Sequence, residues 1–157
     1  MIAPIDKTLS VAVPPDRAFH LFTVRISSWW PADAHSVAAQ QGGLPQDIVL
    51  EPETGGQIYE VLANGARALW GEVTIWSPHS VLEMTWHPGK SAAQATRVRV
   101  EFVADGSGTT VTLTHSGWSA LAEPDDLRRG YDTGWDYVLG KCYCDAADAE
   151  AQAQPPR

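Results

Sequence analysis

The amino-acid sequence predicts an α+β protein in which a long C-terminal α-helix lies across a curved antiparallel sheet of about seven strands. Residues Glu123 to Ala149 keep an apolar period of three and four, which is typical of an amphipathic helix. The chain before them consists of short segments in which apolar and polar residues alternate, separated by turn residues, which is typical of antiparallel strands. Two short helices are expected directly after the first strand.

The first strand is expected from Ile5 to Val13, where apolar and polar residues alternate. Pro15 is placed to open a short helix, and Ser27 to Trp30 has the character of a second helical turn. Residues 32–46 are small and polar, which indicates a loop that either closes over a site as a lid or is simply mobile.

Six further strands are expected from the alternating segments that follow this loop. They are Ile48–Glu51, Gln57–Leu62, Arg67–Trp76, Val81–His87, Thr96–Val103 and Thr110–His115. A sheet of this size curls, and a helix on its concave side leaves a cavity between the two. Residues 1–147 are expected to form a single domain, and residues 148–157 a frayed tail.

The long helix carries an aromatic stripe and an unusual number of glycines. The stripe consists of Leu127, Tyr131, Trp135, Val138 and Cys142, widened by Leu139 and Ala146. Gly130, Gly134 and Gly140 each cost about 1 kcal/mol relative to alanine inside a helix. Two interpretations are open: close packing of the helix against a neighbour, or space for a ligand beside Tyr131 and Trp135.

Composition excludes several classes of function. The net charge of −8 and the pI near 4.9 argue against nucleic acid or an anionic membrane as a partner. No signal-peptide core or membrane-spanning stretch is present, so a cytoplasmic location is expected. Cys142 and Cys144 lie two apart on the predicted helix and point to opposite sides, which argues against a disulfide or a metal clip. No metal site, phosphate loop or cofactor is expected.

Short motifs spread along the chain resemble those of the SRPBCC superfamily (START, Bet v 1 and polyketide-cyclase-like proteins). The resemblance is strongest to the branch similar to Hsp90-ATPase activator homologues. These motifs are Pro14-Pro15 with Ala18-Phe19, Trp29-Trp30-Pro31, Leu50-Glu51-Pro52 with Gly55-Gly56, Tyr59-Glu60, Trp70-Gly71-Glu72-Val73, Thr85-Trp86, Leu113-Thr114-His115-Ser116-Gly117-Trp118 and Gly134-Trp135. The resemblance implies a helix-grip fold with a ligand pocket. Members of the superfamily bind lipids, hormones or polyketides, some catalyse cyclisation or dehydration, and one group docks on a chaperone.

Three polar residues are candidates for catalysis. His115 shares a strand face with Val111 and Leu113, so it is expected to point inward, either as a hydrogen-bonded core residue or as an anchor or acid/base group at the pocket wall. Glu60 and Glu72 are expected either to be solvated or salt-bridged, or to point inward as the partner of His115.

The predicted ligand-binding residues are mainly aromatic, because a tryptophan cluster often lines a cleft that is apolar with a polar edge. Trp30 and Trp118 are expected at the mouth, and Trp86, Tyr131 and Trp135 on the walls, with His115 as a polar anchor. His35, in the loop, is expected to be solvated.

Three functions are compatible with these observations. The first is binding of a small hydrophobic or aromatic molecule between the sheet and the C-terminal helix. The second is a cyclase, dehydratase or hydrolase that uses general acid/base catalysis in the same cavity, without a metal or a covalent nucleophile. The third is activation of the Hsp90 ATPase, although the acidic charge and the lack of the full activator's additional N-terminal domain argue against a chaperone partner. A homodimer is compatible with all three.

Overall fold

In the computed structural model, which describes residues 2–153, a seven-stranded antiparallel sheet curls around a long C-terminal helix. The strands are β1 (Ile5–Val11), β2 (Asp47–Leu50), β3 (Gln57–Val61), β4 (Arg67–Ser77), β5 (Val81–Trp86), β6 (Thr96–Asp105) and β7 (Gly108–Ser116). The helices are α1 (Pro15–Phe22), α2 (Val37–Gln40), α3 (Pro124–Tyr137) and α4 (Cys144–Ala153). A π-helical segment (Val138–Tyr143) joins α3 to α4, and 3₁₀ turns occur at Ile26–Ser28, Ala92–Gln94 and Trp118–Ala120.

The strand order places the first strand of the chain at one edge of the sheet, beside the last strand. The order is β1-β7-β6-β5-β4-β3-β2, so β1 pairs with the last strand and the other strands follow as a meander. Irregularities in register fall within β4, at its pairing with β3 and with β5. The helix-grip architecture predicted from the sequence is confirmed.

Alternating burial along the strands produces one continuous core. In β7 every second side chain is buried, from Thr109 through Val111 and Leu113 to His115, while the intervening residues are partly exposed. Antiparallel sheets with one solvated face show this pattern. The buried face packs against α1 and the C-terminal helix, where Phe22 and Tyr143 meet with ring centroids 5.3 Å apart.

The C-terminal helix changes its buried face part-way along. The sequence predicts a stripe that continues from Val138 to Cys142 and Ala146, but Cys142 and Ala146 are only partly buried. Tyr143 and Ala147 are fully buried instead. The physical reason is the π-helical segment, in which hydrogen bonds span five residues and one extra residue is inserted into the turn.

Helix α4 extends past Asp148, the residue from which the sequence predicts a frayed tail, and continues to Ala153. Within α4, Glu150 accepts hydrogen bonds from Arg17 of α1 and from Arg25. Residues 154–157 lie outside the described residues. None of the helices within residues 2–153 combines the length and apolarity needed to cross a bilayer.

Candidate functional site

A cavity of about 380 Å³ lies between α3 and the part of the sheet formed by β4 and β5. Its aromatic wall consists of Trp30, Trp70, Trp86, Tyr131 and Trp135. The remaining wall comes from the segment that precedes and includes α2, from the turn at Pro88–Lys90 and from α3, including Gly130 and Gly134. This volume lies within the range of pockets that hold small organic ligands.

The tryptophan rings form one contiguous cluster. Trp30 lies 5.2 Å from Trp70 and 5.9 Å from Trp86, measured between ring centroids. Trp135 of α3 lies 5.7 Å from Trp86 and 6.0 Å from Trp30. Edge and tilted contacts at these distances are favourable between aromatic rings, so the wall is rigid and strongly apolar.

His115 lies behind this wall. It is fully buried, and its Nδ1 accepts the indole N–H of Trp135 at 3.0 Å. Because Nδ1 is an acceptor, Nε2 carries the proton and donates to the Thr96 hydroxyl at 2.7 Å, and that hydroxyl donates to the Trp86 carbonyl at 3.1 Å. Burial lowers the pKa of His115 to about 3. The ring is therefore neutral, and both of its nitrogens are engaged by the protein.

Glu60 is also fully buried, but it faces a different partner from the one that the sequence suggests. Its carboxylate accepts the backbone N–H groups of Val37 and Ala38, at 2.6 and 3.0 Å, and the indole N–H of Trp70 at 2.7 Å. Glu60 therefore fixes α2, and the loop in which α2 lies, to the sheet. Glu60 and His115 share no hydrogen bond.

The other predicted site residues divide between the cavity and the protein around it. Trp30, Trp86, Tyr131 and Trp135 line the cavity. Trp118 is buried next to His115, at a centroid distance of 4.2 Å, and does not contribute to the wall. Glu72 is exposed to solvent on β4.

The α3 glycines differ in what surrounds them. A Cβ placed on Gly130 would meet no atom within 4 Å, and one placed on Gly134 would lie 3.5 Å from Cε1 of His35. Both glycines line the cavity. Close packing therefore does not explain Gly130, which is exposed and has open space at its Cβ position.

Two polar groups accompany the aromatic wall. Burial raises the pKa of the Tyr131 hydroxyl, so the phenol is protonated at neutral pH, and a hydrogen-bonding interaction with the Trp86 indole partly offsets that rise. The Trp86 N–H makes no hydrogen bond of normal geometry to any atom of residues 2–153, and the Tyr131 hydroxyl is the acceptor beside it. At the rim stand the exposed Lys90 and Asp126, the latter paired with Arg129.

Several wall residues escape prediction from the sequence. His35 is half-buried and lies on the cavity wall, with its ring 6.1 Å from that of Tyr137. The turn at Pro88–Lys90 carries no motif that distinguishes it from an ordinary loop. The inward position of Glu60 is one of the two alternatives expected from the sequence, and Glu60 shares a strand face with the buried Ile58.

No group of three His, Cys, Asp or Glu side chains within residues 2–153 is arranged to hold a metal ion.

Comparison with known families identifies the fold family. The family model described as activator of Hsp90 ATPase homolog 1-like protein matches residues 12–141. The chain belongs to this family. No curated protein matches it in sequence.

Three solved structures illustrate the range of its structural relatives. The anthrahydroquino-γ-pyrone synthase Txn09, complexed with SUM, is 31% identical with a TM-score of 0.54, covering 73% of this chain and 77% of that chain. The self-sacrificing resistance protein CalC from Micromonospora echinospora is 22% identical with a TM-score of 0.72, covering 97% and 98%. An HSP90 activator from Plasmodium falciparum is 19% identical with a TM-score of 0.54, covering 88% and 97%. At 22% and 19% identity, the last two show the shared fold alone.

Proposed function

We propose that this protein binds a small, flat aromatic molecule in the cavity between α3 and the sheet. The observation that carries the proposal is an aromatic cavity wall next to Gly130, where a Cβ would meet no atom within 4 Å. Burial of apolar ligand surface against such a wall contributes about 25 cal/mol per Å² before the costs of association are subtracted.

Likeness to one relative supports an aromatic ligand over an aliphatic one. The synthase Txn09 is named for a polycyclic aromatic product, and its identity of 31% to this chain is higher than that of the other two structures described above. Flat ring systems also suit a wall of tilted indoles better than flexible chains do, because they lose less conformational freedom on binding.

Catalysis and chaperone activation receive less support from the structure. A general acid/base group must reach the substrate, and His115 is neutral, doubly hydrogen-bonded and behind the cavity wall. The chaperone alternative depends on the family description and on a relative of only 19% identity. Ligand binding is therefore the function that the geometry supports best.

A substitution at Gly130 tests the proposal. Leucine at this position would project into open space, so the variant Gly130→Leu is expected to fold while filling the cavity. The probe is 1-aminoanthracene, a three-ring amine whose fluorescence rises in apolar surroundings. Titration should show saturable binding to the wild-type protein and at least tenfold weaker binding to Gly130→Leu.

Gly140 provides the matched control. It lies on the same continuous helical segment, is exposed, meets nothing within 4 Å of a placed Cβ and does not line the cavity. Gly140→Leu should therefore bind the probe as the wild type does. Equal affinities for the wild type and Gly130→Leu, or no saturable binding to the wild type, would overturn the proposed function.

A further inference from the structure

The two glycines of α3 that line the cavity are covered to different extents. Gly130 and Gly134 lie about one turn apart, roughly 6 Å along the helix axis. A Cβ on Gly130 would meet no atom within 4 Å, whereas one on Gly134 would lie 3.5 Å from Cε1 of His35. The His35 ring therefore occupies over Gly134 the kind of space that is empty over Gly130.

The segment before α2 holds His35 at this position through its backbone. The His35 carbonyl accepts the Trp30 indole N–H at 2.6 Å, and Glu60 binds the backbone N–H groups of Val37 and Ala38 that follow. None of these bonds uses the imidazole ring. Replacement of the His35 side chain should therefore leave the course of the segment unchanged.

The tryptophans of the cavity wall have less freedom to change than His35 does. Trp30, Trp70 and Trp135 are buried, and each donates its indole N–H to an acceptor in the protein. Trp86 is buried between Trp30 and Trp135. Changes of size in such a packed cluster are costly, because they leave voids or force strained rotamers. His35 is half-buried and comes from a loop, so its size can change without disturbing the core.

We propose that His35 determines ligand specificity by limiting how far an aromatic ligand extends along α3 from Gly130 past Gly134. A longer ligand must displace the His35 ring, and this steric conflict favours shorter molecules. The inference rests on the proposed function, since it concerns the ligand of the same cavity. It adds a selection by length that an aromatic wall alone does not give.

The test compares two flat aromatic amines of different length. 1-Aminoanthracene has three fused rings, and 6-aminochrysene has four. 6-Aminochrysene is titrated as a competitor of 1-aminoanthracene against the wild type and against His35→Ala. The quantity measured is the ratio of the 6-aminochrysene Kd to the 1-aminoanthracene Kd in each protein.

The ratio should be smaller in His35→Ala than in the wild type by about fivefold or more. A purely structural role of His35 would weaken both probes alike and leave the ratio unchanged. His20→Ala is the matched control, because His20 is exposed on α1 and does not line the cavity. This control should keep the wild-type ratio.

A double variant tests whether the space over Gly134 is responsible. In His35→Ala combined with Gly134→Leu, the leucine side chain begins 3.5 Å from the position that the His35 ring has left. It should refill that space from the helix side and return the ratio to the wild-type value. A ratio as low as that of His35→Ala alone would overturn the inference.

Further results separate failure of this inference from failure of the proposed function. If 1-aminoanthracene binds the wild type and is weakened by Gly130→Leu, but the ratio is the same in the wild type and His35→Ala, selection by His35 is overturned and aromatic binding stands. An equal fall of the ratio in His20→Ala, or no competition by 6-aminochrysene in either protein, also overturns the inference. If 1-aminoanthracene does not bind the wild type, both proposals fail together.

Discussion

His115 illustrates how neighbours determine the chemistry of a residue. Its two nitrogens are engaged by Trp135 and Thr96, and no acidic partner compensates for burial. The imidazole is consequently kept neutral by desolvation, and its protonation requires the surrounding structure to open. His115 of β7 thus links its strand through hydrogen bonds to Thr96 of β6 and to Trp135 of α3.

A pH dependence of stability follows from the lowered pKa of His115. The folded-state value of about 3 lies below the ordinary value of 6.5, so the unfolded chain binds the proton more readily. The stability that depends on this residue is complete above pH 6.5 and is lost as the pH falls toward 3. Between pH 7 and pH 5, the loss should be about 2 kcal/mol. Denaturant unfolding at the two pH values measures it.

The matched control for this prediction is His115→Gln, which cannot titrate. The variant is expected to be less stable than the wild type at pH 7, because glutamine does not reproduce both hydrogen bonds. Its free energy of unfolding should nevertheless fall by about 2 kcal/mol less than that of the wild type between pH 7 and pH 5. Parallel losses in the two proteins would contradict the assignment.

At the scale of elements, the short helix α2 depends on a carboxylate from the sheet. Only the Ser36 hydroxyl caps it locally, by accepting the N–H of Ala39. Glu60 of β3 satisfies the two preceding N–H groups, those of Val37 and Ala38. A helix this short is unstable alone, so tertiary contact holds this part of the cavity wall in place.

Glu60→Ala should therefore loosen the segment 32–46. The substitution removes the partner of the buried donors on Ala38 and Trp70 and of the part-buried N–H of Val37, which should destabilise the protein by about 2–4 kcal/mol. Amide hydrogen exchange should accelerate in residues 32–46 more than in β6 and β7. Ser36→Ala is the control, because it removes the local cap and leaves Glu60 in place. A uniform acceleration across the sheet in Glu60→Ala would contradict an anchoring role.

Element-scale features also show where prediction from sequence succeeds and fails. Strand alternation and the helical period of Leu127, Tyr131 and Trp135 reflect burial on one face, which is local information. The shift from Cys142 to Tyr143 depends on an extra residue in the turn, and the periodic pattern alone does not reveal it. The partner of Glu60 is likewise set by how a distant loop folds back onto the sheet.

At the scale of the whole molecule, the cavity links ligand binding to global stability. Its wall combines β4, β5, α3 and the segment around α2, so a ligand contacts elements that are far apart in the chain. Only the folded protein presents this wall. Binding therefore stabilises the folded state by mass action.

With 1-aminoanthracene at one hundred times its Kd, the free energy of unfolding should rise by about 2.7 kcal/mol. This corresponds to an increase in melting temperature of roughly 5–10 °C for a chain of this size. Differential scanning calorimetry with and without the probe measures the shift. At the same probe concentration, Gly140→Leu should show the same increase and Gly130→Leu about half of it or less. An equal increase in both variants would place the probe outside the cavity.

The π-helical segment divides the C-terminal helix into two parts with separate tasks. Residues before it line the cavity, as Gly130, Tyr131 and Trp135 do. Tyr143 at the end of the segment and Ala147 after it are fully buried in the core, and the Tyr143 hydroxyl donates a hydrogen bond to the Ala18 carbonyl of α1. Evolution or protein engineering can therefore remodel ligand preference in the first part while the second continues to secure the scaffold. One continuous helix thus combines a part whose side chains can change with the ligand and a part whose packing in the core stays the same.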